Sequence, residues 1–433
     1  MLQMAADLVL YCVAVVVRQL AVQADWFSTR PEVATPLNSW ARLTEGVHLH
    51  RSGLSPYSGV IFHETPLSLY LFSLLGNNQT YLSWLFILAD LLTAYTLGRL
   101  GEAVTRQRLI SQEVSSSAGL LHTEAGSLLA GLATTVTVPH MLRLAYLLNP
   151  YVIASCAGLT STVWTNLLLA AFLHSLVSGK TKLACVWLAG AAYQTLYPAL
   201  LLVPLCLQVV RSSPASPLRP VINTLITFTA SLTALLLVSR QICADWSFLD
   251  GVYGFILTVP ELTPNMGIFW YFFTEMFDHF RVFFIWTFQL NLVLYIAPLA
   301  IKFPNRPLLL STILIGLIAV FKSYPAVGDV GFFLSLLPLF SHLFPFMKQT
   351  LVILCMLLAT SVLAPIAWQL WIYNNSANAN YYFAINLVYS TAQIFLITDL
   401  LFGQVKREYY LKNGFSLLDK EDKDGKKPIL QLK

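Results

Sequence analysis

Charge is what this sequence lacks. Only 11% of its 433 residues are Asp, Glu, Lys or Arg, less than half of the roughly 25% carried by an ordinary soluble protein, and the mean hydropathy is +0.66. That shortage excludes a soluble enzyme or binding domain, and a net charge of only +5, dispersed along the chain, excludes a nucleic-acid partner. Paired cysteines are missing too. Cys12, Cys156, Cys185, Cys206, Cys243 and Cys355 all lie within or at the edge of apolar runs with no CxxC spacing, so they read as small buried hydrophobes. Neither a disulfide framework nor a metal site is expected from them, and no cofactor is implied. Finally, the first long polar loop has no D-x-D or E-x-D. Its acids Asp25, Glu32, Glu45 and Glu64 are scattered, and the one D-x-D, Asp422/Asp424, is in the C-terminal tail. A metal-assisted sugar transferase would need such a pair to hold its ion or supply its base.

What is present is a succession of apolar runs, many of them long enough to cross about 30 Å of hydrocarbon as a helix of roughly 20 residues. The chain is therefore expected to be an all-α polytopic membrane protein of roughly twelve transmembrane helices plus re-entrant or interfacial helices. Met1 to Ala24 has no basic n-region, so it reads as an uncleaved first span rather than a signal peptide. Residues 25–80 form a first lumenal loop with a modest helical pattern from Leu37 to Leu49. The loop ends in a short apolar piece, Leu67 to Leu75, too short to cross and read as a re-entrant half-helix. Spans are expected at Tyr81–Leu100, about 127–148, 151–178 after an Asn149-Pro150 break, two short crossings within 183–210 around Pro198 and Pro204, and 221–242. Those at about 282–301, 307–322, 327–346, 349–372 and 381–402 complete a single membrane domain over 1–403. A polar loop is expected from Gly101 to about Gly126, and a charged cytosolic tail, partly unstructured, over 404–433.

Basic residues orient the chain. With both termini in the cytosol, Arg99/Arg106/Arg108, Lys180/Lys182, Arg211/Arg219, Lys302/Arg306, Lys348 and the tail all fall on the cytosolic side, as the positive-inside rule requires. The first span dissents, because no Lys or Arg precedes it. The same scheme puts both N-glycosylation sequons, at Asn78 and Asn374, on the lumenal side, although neither was used to build it.

The segment over 243–281 is the richest in chemistry. Read as one helix, Leu262–Phe284 places Trp270, Phe273, Phe277 and Phe280 on one stripe and Glu275, Asp278 and His279 on another. Aromatics at this density favour the membrane–water boundary, as an interfacial anchor or as the lip of a lipid-headgroup site. The spacing of Glu275, Asp278 and His279 could also ligate a metal, but no further ligand is in view. Ionisable residues at membrane depth are costly unless paired or solvated, so Asp90, Lys322 and Asp329 are functional candidates. Asp90 could equally be a satisfied hydrogen bond between helices. Lys322 and Asp329 flank a helix break made by Pro325 and Gly328, where Lys322 could meet a phosphate or simply anchor at the interface. His63-Glu64 could suggest an acid–base pair, but neighbours on a regular element point apart. Only Cys243 approaches the lumenal face and no His is near it in sequence, so covalent catalysis by this chain is not expected.

Several stretches together carry a resemblance: SPYSGVIFHETPL (Ser55–Leu67), ADLLTAY (Ala89–Tyr95), YLLNPYVIASC (Tyr146–Cys156), TVPELTPNMGIFWYFFTEMFDHF (Thr258–Phe280), FKSYPAVGDV (Phe321–Val330), LWIYNNSANANYYFAI (Leu370–Ile385) and KREYYL (Lys406–Leu411). In this order they resemble the phosphatidylinositol-glycan class U (PIG-U) family, multispanning subunits of the GPI transamidase complex of the endoplasmic reticulum, over nearly the full chain. The resemblance implies a GT-C-like scaffold, similar to ER mannosyltransferases that share the Ser-Pro-Tyr…Thr-Pro block and the Asp-Leu-Leu-Thr-Ala span. The absent acidic pair suggests a scaffold converted from sugar transfer to lipid binding. It implies a non-catalytic role in an ER membrane complex. A separate Cys/His subunit would cleave the preprotein there, further ER membrane subunits would assemble with it, and this chain would present the GPI glycolipid. Asn265, Trp270, Phe273, Glu275, Phe277, Asp278, His279, Lys322, Tyr324, Asp329 and Asp90 are the residues expected to meet the lipid. A lipid-linked mannosyltransferase and a transporter are the alternatives; the first wants the missing acids, and no internal inverted repeat supports the second.

Overall fold

The computed structural model describes residues 2–75, 79–117, 134–213 and 215–413, and among these it is helical without strands. The chain begins with α1 (Leu2–Gln23), then crosses the first loop through α2 (Trp40–Arg51) and the short α3 (Pro66–Leu75). It continues as α4 (Gln79–Ser117), α5 (Thr134–Leu147), α6 (Pro150–Ala157), α7 (Thr162–Val177), α8 (Thr181–Thr195), α9 (Leu202–Ser212) and α10 (Leu218–Cys243). The second half holds α11 (Phe255–Thr258), α12 (Phe269–Glu275), α13 (Asp278–Leu294), α14 (Ile296–Lys302) and α15 (Pro307–Phe321). It ends with α16 (Val327–Ser335), α17 (Thr350–Trp368) and α18 (Ala379–Asn413). Among the described residues six helices are long and apolar enough to cross a membrane alone, or seven if α16 and the following 3-10 turn Leu337–Phe346, bent by 69°, count as one. Several shorter apolar helices accompany them, α7 and α15 among them.

Local chemistry explains the breaks. Asn149 caps α6, its side-chain oxygen accepting from Tyr151 N at 3.0 Å, while Pro150 fills the first helical position where no N–H is needed. The Asn149 amide then donates to Gly331 O at 3.2 Å, tying this break to α16. The start of α16 is fixed by Asp329 in its first turn, whose carboxylate accepts from Ala326 N at 2.9 Å. Small residues let the helices close: a Cβ on Gly331 would sit 3.0 Å from Tyr151 and Val152, and one on Gly328 would strike Ser155.

Four expectations need correction. The polar loop foreseen from Gly101 is helical as far as Ser117, because no Pro interrupts it and its polar side chains find partners. Gln107 donates to Val177 O at 2.8 Å, and Arg108 to Leu339 O at 2.6 Å. The remainder of that loop and the start of the span expected over about 127–148 lie outside the described residues, as does most of the C-terminal tail. The tail's first part is also helix, α18 running on to Asn413. The span foreseen over 151–178 is broken between α6 and α7, where Leu159 takes a left-handed φ of 50°. The single helix foreseen over 262–284 is two, since Met276 and Phe277 are extended. There the aromatics satisfy one another instead of forming a stripe: Phe269, Phe272 and Phe273 of α12 pack on Phe288 of α13 with ring centroids 4.8–5.4 Å apart.

Inside the bundle, one ion pair staples three helices. Arg18 of α1 donates to Asp90 of α4 at 2.6 Å and to Leu147 O at the end of α5 at 2.9 Å, while Tyr146 donates to the other Asp90 oxygen at 2.6 Å. Both charged side chains have no solvent exposure.

At one end of the bundle lie basic loops held by Arg211 to Asn305 O (3.3 Å) and Arg306 to Glu408 (3.0 Å). At the other, the first loop meets three later segments. Val327 N donates to Glu32 O (2.9 Å), Asn38 to the Thr162 hydroxyl (2.9 Å), and Arg42 to Glu261 (2.5 and 2.8 Å).

Candidate functional site

The end gathered by the first loop contains a narrow crevice whose free interior, about 20 Å3, has room for about one water molecule. Its wall is drawn from four places: the first loop with Thr35, Leu37, Asn38 and Glu64; the α6–α7 break with Ser161, Thr162 and Thr165; the end of α8 with Gln194, Thr195 and Tyr197; and the α15–α16 break with Lys322, Tyr324 and Asp329. Two of these places share a backbone device. Leu159 before Ser161, and Leu196 between Thr195 and Tyr197, both adopt positive φ, 50° and 61°. These conformations are uncommon for residues with a Cβ, and they turn the chain sharply enough to aim short polar side chains inward.

Several wall residues are held by the fold. Asn38 accepts from Thr35 N at 2.6 Å and from its hydroxyl at 3.0 Å, which closes the first loop into a turn, and its amide reaches Thr162. The Tyr197 hydroxyl meets Ser323 Oγ at 2.7 Å and Gln289 at 3.0 Å, and Ser323 in turn donates to Ile256 O at 2.7 Å. This network joins the α8 end, α11, α13 and the α15–α16 break around a common floor. Lys322 lies 2.6 Å from Asp329, the two side chains being 11% and 14% exposed, so they bridge the break as an ion pair.

Above the crevice, Arg42 grips Glu261 with two hydrogen bonds of 2.5 and 2.8 Å. Burial pushes the Glu261 carboxyl up, but hydrogen bonds from Arg42 and Thr263 and the Arg42 charge outweigh it, leaving the carboxyl more acidic than usual. His63 turns away from the crevice. Its ring bonds to Gly251 O and Val60 O and stacks on Phe255, and burial lowers its pKa. Glu64 points the other way, 5% exposed, with its Oε2 unpartnered and its pKa pushed by burial up to about 8. The neighbours do point apart, as their adjacency predicts.

Of the residues singled out from the sequence, Lys322, Tyr324 and Asp329 line the crevice. Tyr324 stacks on Phe255 and belongs to the same apolar cluster as Phe269 and Phe273, so the aromatic segment and the α15–α16 break are neighbours. Asn265 and Trp270 are buried beside them. Asn265 bonds Gly267 N at 2.8 Å and receives the Asn386 amide on its carbonyl at 2.6 Å, while Trp270 packs with Met266 and Tyr382. Glu275, Phe277, Asp278 and His279 are exposed, Phe277 by 80%, and the break at 276–277 removes the single-helix spacing considered for a metal. Asp90 is held in the interior staple and does not line the crevice. Asn374 is exposed in the turn before α18, and Asn78 lies outside the described residues.

Sequence reasoning missed Ser161, Thr162, Thr165, Gln194 and Thr195, and passed over Glu64 after setting aside its pairing with His63. One signal was available. Gly-Leu-Thr-Ser-Thr at 158–162 is a short hydroxyl-rich interruption in an apolar run, which is how a cavity-lining break reads.

Comparison with known proteins agrees with the resemblance. The family model described as "GPI transamidase subunit PIG-U" matches residues 8–389. The human "GPI-anchor transamidase component PIGU" is 38% identical over 99% of this chain and 100% of its own length. The Saccharomyces cerevisiae "GPI transamidase component GAB1" is 32% identical over 87% of this chain and 88% of its own. The Schizosaccharomyces pombe homologue of GAB1 is 28% identical over 89% of this chain and 90% of its own. Matches of this length leave no part of the crevice's wall outside the aligned region, and the chain belongs to the PIG-U family of GPI transamidase subunits.

Proposed function

We propose that this chain is a non-catalytic subunit of a GPI transamidase in the endoplasmic reticulum membrane, and that it binds and presents the GPI lipid for attachment to the C-termini of preproteins. A Cys/His catalytic subunit and further ER membrane subunits would be its partners. The names of the relatives support membership of such a complex. The observation that carries lipid presentation is the crevice, a hydroxyl- and amide-lined cavity beside a dense aromatic segment. Polar groups suit a glycan, and rings beside them suit the acyl boundary below it.

In the membrane, the six or seven long spans together with the shorter apolar helices support a reading of about twelve crossings. An even number returns both termini to one side, the cytosol by the positive-inside rule, and turns the crevice and Asn374 to the lumen. A GT-C-like scaffold without an acidic pair in its first lumenal loop accords with this reading, and within that loop Thr35, Asn38 and the protonatable Glu64 line the crevice.

Replacement of Lys322 or Trp270 by Ala tests the proposal in cells lacking the endogenous chain. Surface display of a GPI-anchored reporter is expected to fall while the variant still co-purifies with its partners and complete GPI accumulates unused. Normal display in both variants would sink the site. Accumulation of a truncated glycolipid would instead favour the mannosyltransferase alternative.

A further inference from the structure

At the basic end of the bundle, far from the crevice, positive charge is gathered from four segments. Arg108 of α4 donates to Leu339 O of the 3-10 turn at 2.6 Å, and His342 follows three residues on in that turn. α18 lies close against the same turn, since a Cβ on Gly403 would stand 3.4 Å from Leu343 O. Arg407, 8% exposed, is one helical turn further along α18. Arg306, the residue before α15, reaches Glu408 of α18 at 3.0 Å. The three guanidinium charges bear on one another, and all three bear on His342. Little of the charge on Arg108 and Arg306 is offset. Arg108 bonds a neutral carbonyl, and among the described residues no carboxylate lies within ion-pair distance of it. Glu408 is shared, its Oε1 taking both Arg306 Nε and the Gln404 amide, the latter at 2.6 Å. The terminal N–H groups of Arg306 have no partner among the described residues, and neither has the buried Nδ1 of His342.

We infer that Arg108, Arg306 and Arg407, with His342, form an anion site for a phosphate monoester at the membrane surface. Like charges held together in a partly buried place repel, and an anion relieves that cost. Guanidinium forks match phosphate oxygens two at a time, and donors converging from three elements suit a tetrahedral group better than a flat carboxylate. Arg306, its side chain 48% exposed, makes the first contact, and Arg108 and Arg407 form the inner wall. Ile301 (80% exposed) precedes Arg306 by five residues and Phe344 (44% exposed) follows His342 by two, so apolar surface for acyl chains adjoins the charges. This end is the one the positive-inside rule assigns to the cytosol, where basic pockets between helices meet phosphorylated headgroups. The site is independent of the glycolipid reading of the crevice.

The test titrates a fluorescent short-chain phosphatidylinositol phosphate against the full-length chain within its complex, in phosphatidylcholine nanodiscs. Unphosphorylated phosphatidylinositol and inorganic phosphate serve as competitors. Wild type is expected to prefer the phosphorylated probe about tenfold or more over phosphatidylinositol, and Arg306→Gln to weaken its binding about tenfold. Lys302→Gln removes an exposed charge of the same sign nearby, and a change of less than about twofold is expected. Arg108→Gln should weaken binding as much as Arg306→Gln; if it fails to assemble, Arg306→Gln, at a half-exposed position, still decides. Displacement by inorganic phosphate at concentrations near the lipid's supports the site and assigns it a soluble ion, whereas resistance to that competitor supports it and assigns a lipid headgroup. No preference for the phosphorylated probe, undiminished binding in Arg306→Gln, or an equal loss in Arg306→Gln and Lys302→Gln overturns the inference.

Discussion

Two buried ion pairs, Arg18–Asp90 and Lys322–Asp329, share a contact distance of 2.6 Å and differ in everything around it. The first has no solvent exposure, and every atom of its carboxylate is engaged by Arg18 or Tyr146. The second spans a helix break, keeps 11–14% exposure, and forms part of a cavity wall. A buried charge pair with accessible groups beside it can still meet a ligand; fully enclosed, it is a rivet between helices.

The comparison is broken most violently at Asp90. Asp90→Ala leaves Arg18 charged and enclosed, and a loss of about 3–5 kcal/mol is expected, read as collapse of the monodisperse detergent-solubilised species. Replacing both partners, Arg18→Met with Asp90→Leu, should restore most of it, since an apolar pair of similar volume removes the desolvation cost. Persistent loss in the double variant would show that the pair does more than hold helices.

Glu64 sharpens the contrast from the cavity side. Its folded pKa lies above the unfolded value, so the folded state holds a proton that the unfolded state releases above about pH 4.5. Its contribution to stability is full below that pH, declines as pH rises, and is gone above about 8. Glu64→Gln should then be the more stable protein at pH 7, by about 3 kcal/mol, with the gap closing toward pH 4.5. A gap independent of pH, followed by thermal unfolding in detergent across that window, would place the Glu64 proton elsewhere.

Lys322→Ala should cost less, about 1–2 kcal/mol, because Asp329 keeps its bond to Ala326 N and is near enough to the crevice to be hydrated. A destabilisation as deep as that of Asp90→Ala would erase the distinction between rivet and wall. The smallest effect is expected from Asn374→Gln, neutral to stability because the side chain is exposed. Loss of a glycosidase-sensitive gel shift in this variant would put the crevice end in the lumen; absence of the shift from wild type removes that support.

These pairs also show what a sequence can disclose. Lys322 and Asp329 are seven positions apart around Pro325 and Gly328, so the break and its charges are visible together in one short stretch. Arg18 and Asp90 are 72 positions apart, and only packing reveals that one answers the other. The all-helical architecture was legible from apolar runs because each run must satisfy its own backbone in lipid. Where helices end was less so. The helix of α4 continues past Gly101 because tertiary partners for Gln107 and Arg108 override the polarity that suggested a loop. The aromatic segment bends at Met276 because rings on α12 gain more by packing on Phe288 than by lying along one face. In the crevice, Ser161 and Gln194 approach Glu64 only through turns at Leu159 and Leu196, residues that give no hint of left-handed backbone.

Helix length has a mechanical consequence. At 1.5 Å per residue, the 39 residues of α4 and 35 of α18 make rods of about 58 and 52 Å, against a hydrocarbon layer of about 30 Å. Both overshoot at the basic end, where Phe346 and Leu339 of one bent segment touch α18 and α4 respectively. With both helices crossing a bilayer, the excess length would act as a keel, projecting beyond it and setting the draught at which the hull floats. A vessel ballasted on one side holds the opening on the other at a constant height above the waterline, which is what the proposed lipid-presenting role would require.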